Sequence, residues 1–399
     1  MARDVLDLIA SETYGKSYKA HKLELELETD SISRIDSREP SVDNPKQGET
    51  VKHKGYVPLK DLSVMVAQNN SQILTYFLDG SRHVYKIDDI AYQHSTSQKI
   101  VYPIVAGQVT VGCCRRFQKK MTSEKFLGEI VLALPDTANA SDSNGFLPAL
   151  KDKINDRLQK KKFKAELSKI LLYSTSNAKD KEQEFENRAI AAIQDYMYQT
   201  EQLMVANLVS QGKLSQDNYL IKDGSLEYRV LPALINDNKK FLTFKGNYGY
   251  VVGLSKKFNP SLWKTGVGSN PKSNPAFIAE LPLYHRTPVI CFENRFENEN
   301  YHGSIKIAVW YLRIRSKHTD SPFDGVVKVE KMLVTQKELD DEKIDSDLVD
   351  LLSAYIINER NPVCYGSDNR WANHIYPIFL TESFVKSRCI SAETFLNLF

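Results

Sequence analysis

No apolar run in this 399-residue chain reaches the length of a bilayer span, so a membrane-crossing helix is excluded. The opening Met1-Ala2-Arg3-Asp4 leads into no signal-peptide core. The expectation is a soluble, cytoplasmic chain with no membrane partner. Cysteine is scarce: five residues, none at metal-ligand spacing. Cys113 and Cys114 are neighbours, and a disulfide between them would be strained. These read as reduced thiols of an intracellular protein. Cys113, Cys114, Cys291, Cys364 and Cys389 also lack a histidine pattern that would make one a nucleophile. A glycine-rich phosphate loop is missing, so the chain should not hydrolyse ATP itself. The net charge is only +3, and any nucleic-acid binding must come from local patches. Apart from one doubled unit, no internal repeat is visible.

Hydrophobic residues make up 42% of the sequence, ample for a packed core. The length suits one main α/β core with insertions. The doubled unit organises the rest. Ile73-Leu74-Thr75-Tyr76-Phe77-Leu78 runs into Asp79-Gly80-Ser81, and Tyr219-Leu220-Ile221-Lys222 runs into Asp223-Gly224-Ser225. Continuous apolar runs of this kind suit strands covered on both faces. Asp-Gly alone is a common turn signal. Two copies at the ends of matching strands instead bring two carboxylates toward one crevice, where they would form a divalent-cation site.

In chain order, residues 4–28 read as helix, with Val5, Leu6, Leu8 and Ile9 on an apolar face. This element either docks on a partner or packs on its own core. A polar stretch with Pro40 and Pro45 follows, so residues 1–53 form a helical arm and linker and 54–399 the main domain. Strand signals from Ile73 to Cys113 describe a meander. Lys119–Lys125 reads as a basic turn before another apolar strand at Phe126–Leu134. Residues 135–182 read as a basic helical insertion, with a helix over Ala149–Leu172. Its Lys160, Lys161 and Lys162 are candidate phosphate-backbone contacts, although such charges also suit a solvated face.

The longest helix spans roughly Lys181–Gln211, with Ile190, Ile193, Met197, Met204 and Leu208 at helical spacing. Glu186 and Glu201 fall on the same stripe, where an unpaired carboxylate is costly. They lie about 22 Å apart at 1.5 Å per residue, so only one can join a single site. Glu201 is nearer the end that leads to Asp223. The whole order — meander, long helix, strand, further α/β — fits a mixed sheet flanked by helices, as in a ribonuclease H-like α/β fold with an N-terminal extension.

Three motifs in this order resemble the NurA family of nucleases. They are Leu78-Asp79-Gly80-Ser81, a helix glutamate followed by Ile221-Lys222-Asp223-Gly224-Ser225-Leu226, and Asn369-Arg370-Trp371-Ala372-Asn373-His374-Ile375-Tyr376. Val251-Val252-Gly253-Leu254-Ser255-Lys256 resembles the family's mid-chain strand with its lysine. The resemblance spans roughly residues 70–385. It implies a ribonuclease H-like fold, a homodimer, and manganese- or magnesium-dependent DNA cleavage, 5′–3′ exonucleolytic or on single strands. It also implies pairing with a hexameric HerA-type ATPase, in DNA end processing or anti-phage defence. Carried over, Asp79, Asp223 and Glu201 become metal ligands, with Glu186 in reserve. His374 and Lys256 become catalytic partners. Hard oxygen donors suit Mn or Mg, and an imidazole at the site could orient water or protonate the leaving group. The competing reading is a catalytically inactive ribonuclease H-like scaffold that binds DNA or the ATPase.

Overall fold

The computed structural model describes residues 4–25, 46–69, 72–94, 99–139, 145–161, 165–176, 181–226, 237–261, 274–298, 301–317, 321–363 and 369–399. The four short strands β1 (Lys16–Ser17), β2 (Leu23–Glu24), β3 (Lys46–Gln47) and β4 (Val57–Pro58) come first. Then follow β5 (Leu74–Gln93), β6 (Lys99–Phe117), β7 (Lys120–Pro135), β8 (Leu167–Tyr173), β9 (Tyr219–Asp223) and β10 (Val251–Ser255). The strands end with β11 (His285–Arg286), β12 (Ile290–Asn298), β13 (Tyr301–Arg313) and β14 (Val326–Met332). Along the main path the order is β3-β12-β13-β14-β10-β9-β5-β6-β7-β8. β5, β6 and β7 form an antiparallel meander. β9 lies parallel to β5, and β10 parallel to β9.

Helices cover both faces of this mixed sheet. Where β5 and β9 pair, side chains alternate between the faces, as a pleat requires. On one face Tyr76, Leu78 and Leu220 join a core with helices α1 (Asp4–Glu12), α3 (Phe146–Leu158) and α4 (Lys181–Ser210). On the other, Phe77, Tyr219 and Ile221 pack with α2 (Lys60–Gln68), α8 (Ser346–Asn358) and α9 (Tyr376–Lys386). Three short helices, α5 (Asn238–Gly246), α6 (Asn274–Ala279) and α7 (Gln336–Asp341), lie between these elements in sequence. The stripe expected on the long helix is present, with Ile190, Ile193, Met197, Met204 and Leu208 all buried on α4.

Several sequence expectations need correction. Asp79-Gly80-Ser81 is no strand end, because β5 continues through it for 20 residues. These three residues pair with Gly112, Val111 and Thr110 of β6, so ladder pairing overrides the local turn signal of Asp-Gly. The turn after β6 is only Gln118–Lys119, both at positive φ, and Lys120 already begins β7. The basic helix stops at Leu158. Leu167–Tyr173 forms the edge strand β8 along β7, because its apolar residues pair with the sheet. The described part of 135–182 thus holds both a helix and a strand of the main sheet. Lys160 and Lys161 fall in the turn after α3, and Lys162 lies outside the described residues.

The helix expected over 4–28 ends at Glu12. The chain then turns at Tyr14, in left-handed backbone, and β1 and β2 pair with β5. Val5 and Ile9 are fully buried. Lys153 of α3 pairs with Glu12 at 2.7 Å, and Arg157 with Asp4 at 3.0 Å. The first helix is thus packed on its own core and is not a free docking arm. Glu49, inside the expected linker, is buried against Arg286 at 2.9 Å. Ile9→Ala should lower stability by about 2–4 kcal/mol, read as a shifted urea midpoint at unchanged slope. A change below about 0.5 kcal/mol would return α1 to the status of a loose arm.

Candidate metal centre

The register between β5 and β9 decides which acids meet. Leu78 is opposite Lys222, so Lys222 faces the α4 side of the sheet, and Asp223, the next residue, faces the α9 side. Asp79 faces the α9 side as well, since its cross-strand partner is Gly112. A Cβ at Gly112 would lie 2.6 Å from Val385 of α9. Only a residue without a side chain lets α9 come this close. That approach carries Glu382 over the sheet. One carboxylate oxygen each from Asp79, Asp223 and Glu382 lies within 4.8 Å of the others.

Lys256, one residue beyond β10, closes the group from the side. Its ammonium lies 2.8 Å from Asp223 Oδ2 and 3.0 Å from Glu382 Oε2. It is buried, yet its pKa is raised. Burial opposes the charge, but Asp223, Glu382 and Asp79 outweigh it. Burial likewise works against ionised Glu382, yet Lys256 and then Lys386 hold its carboxyl down at about 2. His374 Nε2 lies 3.6 Å from Glu382 Oε2. The short helical turn Asn369–Asn373 sets this histidine, and Asn373 Nδ2 donates to the Lys256 carbonyl at 2.9 Å. Lysine, histidine and acid are thereby tied to one another.

Asp79 differs from its neighbours. Only 6% of it is exposed, and it has neither hydrogen bond nor ion pair among the described residues. Burial, then the Asp223 carboxylate, push its pKa well above the usual carboxylate range, and Glu382 and Glu201 add to this against Lys256. The other Asp223 oxygen, Oδ1, is also buried without a hydrogen bond. The turn after it is firmly held: Gly224 has φ +86°, a left-handed conformation suited to glycine. Glu330 of β14 accepts from Ser225 Oγ at 2.8 Å and from the Leu226 amide at 2.5 Å. Lys328 balances Glu330 at 2.7 Å.

Of the residues expected at the site, the structure brings together Asp79, Asp223, Lys256 and His374. Glu201 approaches from the opposite face. It pairs with Lys222 at 3.1 Å, and a Cβ at Gly80 would sit 2.6 Å from its Oε1. The pleat separates this pair from the acid cluster, so Glu201 does not join Asp223 at one set of ligand atoms. Burial pushes its pKa up against the pull of Lys222. Glu186 is elsewhere, paired with Lys86 at 2.9 Å. Glu382 was missed by the sequence reading, although a signal existed. It lies on a helical stripe with buried Ile378, Thr381 and Val385, the same acid-on-an-apolar-face pattern that drew attention to Glu201.

The donor set fits a hard divalent cation. Three carboxylates share one internal ammonium, and among the described residues Asp79 makes no ion pair and Asp223 Oδ1 no hydrogen bond. Oxygen-only sets of this kind select Mg or Mn over softer metals. Neither a protein-family model nor a curated protein matches the chain. Among solved structures it is similar to the crystal structure of the NurA nuclease from Sulfolobus solfataricus. The match is 11% identical, covers 82% of this chain and 88% of that one, and has a TM-score of 0.37. A superposition at this level does not establish a common fold. No described helix is long and apolar enough to cross a membrane.

The Glu201–Lys222 pair offers a direct test of the two-faced arrangement. Removing one partner of a buried ion pair costs about 3–5 kcal/mol, because the other charge is stranded. Lys222→Met should therefore destabilise by that order in denaturant unfolding, and Lys222→Met with Glu201→Gln should recover most of the loss. No recovery in the double variant would mean that Glu201 is tied to other charges.

Proposed function

We propose that this chain is a metal-dependent phosphodiester hydrolase acting on DNA, a nuclease of ribonuclease H-like architecture. The carrying observation is the cluster of Asp79, Asp223 and Glu382 with a buried lysine, on neighbouring central strands and the helix that covers them. The strand order β7-β6-β5-β9-β10 supports the architecture. An antiparallel meander is followed by two strands parallel to its first member, and α4 leads toward the fourth.

Asp79, Asp223 and Glu382 would hold Mn or Mg. A bound ion of this type supplies Lewis-acid polarisation of a phosphate and lowers the pKa of a bound water. The chain's own groups do the rest. Asp79 and Asp223 fix the site at the centre of a rigid sheet. Lys256 offers its ammonium to a non-bridging phosphate oxygen, and Glu382 orients His374, whose imidazole is placed to move a proton at the leaving oxygen. Lys256 contacting two of the acids is also the observation that favours the competing reading, a scaffold whose acids are satisfied internally. The HerA-type ATPase and the homodimer belong to this proposal through the sequence motifs. With α1 packed on its own core, the ATPase would have to dock elsewhere.

A cleavage assay on linear DNA with Mn, Mg or chelator decides between nuclease and scaffold. Asp79→Asn and Asp223→Asn should each lower the Mn-dependent rate roughly a thousand-fold or more, given several kcal/mol of charge stabilisation, with folding unchanged by circular dichroism. Wild-type protein that leaves DNA intact with every metal would favour the scaffold.

A further inference from the structure

Charge and geometry at the cluster also bear on how many ions it takes. Two-metal hydrolases hold their ions about 3.5–4 Å apart, bridged by shared carboxylates. Here one of the places beside the shared carboxylate is already filled. The Lys256 ammonium bridges Asp223 Oδ2 and Glu382 Oε2 at 2.8 and 3.0 Å, where a second cation would bridge the same two acids. Glu382 is further committed through Oε1 to Lys386 at 2.7 Å. Among the described residues, buried Asp79 makes no hydrogen bond or ion pair and Asp223 Oδ1 is buried without a hydrogen bond, and a carboxylate oxygen of each residue lies within 4.8 Å of the other.

Counting charge gives the same answer. Asp79, Asp223 and Glu382 contribute three negative charges and Lys256 one positive. The two left over are matched by one divalent ion. A second would leave two positive charges uncompensated beside buried Asp79, before the exposed Lys386 on Glu382 is counted, which is unfavourable. Glu201 offers the cluster no ligand oxygen, because it is paired with Lys222 on the opposite face of the sheet at 3.1 Å.

We propose that Lys256 is a built-in substitute for the second metal ion, making this a one-metal centre that Asp79, Asp223 and Glu382 would hold. The inference rests on the metal-dependent reading given above. It assigns Lys256 the part of a second ion, that of a fixed positive charge facing the scissile phosphate.

The test is Mn stoichiometry of the whole chain without DNA, by isothermal titration calorimetry, with EPR of the bound Mn. Wild-type protein should bind one Mn and give the spectrum of an isolated ion. Lys256→Met, which empties the bridging position, should bind two and give an exchange-coupled pair. Lys256→Arg, which keeps the charge, should bind one. Two ions in wild type, or one in Lys256→Met, would overturn the inference while leaving a metal-dependent nuclease intact. No Mn binding by wild type, with or without DNA, would overturn both. If Lys256→Met does not fold, Lys256→Ala refolded with excess Mn takes its place, and a wild-type count of two still refutes the proposal.

Discussion

The pleat of two neighbouring parallel strands, β5 and β9, is the constraint on which the site depends. Because consecutive side chains point to opposite faces, the adjacent pairs Asp79-Gly80 and Lys222-Asp223 are each split between two environments. Asp79 and Asp223 fall on the α9 face. Gly80 and Lys222 fall on the α4 face, where they receive Glu201. A one-residue slip of β9 would exchange Lys222 with Asp223 and put the two aspartates on opposite faces. The cores prevent that slip, since Phe77 and Ile221 belong to one hydrophobic cluster and Leu78 and Leu220 to the other.

Because helices cover both faces, little water reaches the charges of this region, and they are matched largely from within. The sheet solves this with lysines at fixed positions. Lys222 serves Glu201, Lys328 serves Glu330, and Lys256 serves Asp223 and Glu382. Asp79 is the acid in the cluster that receives no lysine. Its raised pKa expresses the same imbalance: burial and the adjacent Asp223 carboxylate disfavour its charge until a cation arrives. Uncompensated negative charge is thereby concentrated at Asp79 and Asp223 Oδ1.

Much of this was legible in the sequence. The two apolar runs ending in Asp-Gly-Ser announced two central strands, and the 3.6-residue stripe from Ile190 to Leu208 announced the helix that precedes the second. Asp79 and Asp223 stand out because each ends such a run, whereas Lys256 and His374 come from the motifs that resemble the NurA family. What was hidden depended on pairing across the sheet. Nothing local distinguishes Asp79-Gly80 as mid-strand from the same dipeptide as a turn; the difference lies in β6, which supplies Gly112, Val111 and Thr110 as ladder partners. Leu167–Tyr173 likewise takes its conformation from β7. The sorting of Glu201 away from Asp223 needs register information that no single segment contains. Glu382 was legible in principle, as an acid on a buried helical stripe, but its neighbours in space come from strands about 160 to 300 residues earlier in the chain.

The separation of Glu201 from the cluster also explains why both halves of the arrangement are needed. A fourth carboxylate on the α9 face would raise the local negative charge and favour a second ion, or else demand another buried cation. Placing Glu201 on the far face keeps its field, which still raises the Asp79 pKa, while removing its oxygens from coordination. Gly80 makes this possible, since a Cβ there would stand 2.6 Å from Glu201 Oε1. The glycine after Asp79 is therefore a packing requirement of the opposite face, where the sequence alone suggested a turn. The glycine after Asp223, at φ +86°, is a conformational one. The same Asp-Gly-Ser unit is used twice for two different physical reasons, and the two carboxylates meet because strand pairing, not the motif itself, sets where each one points.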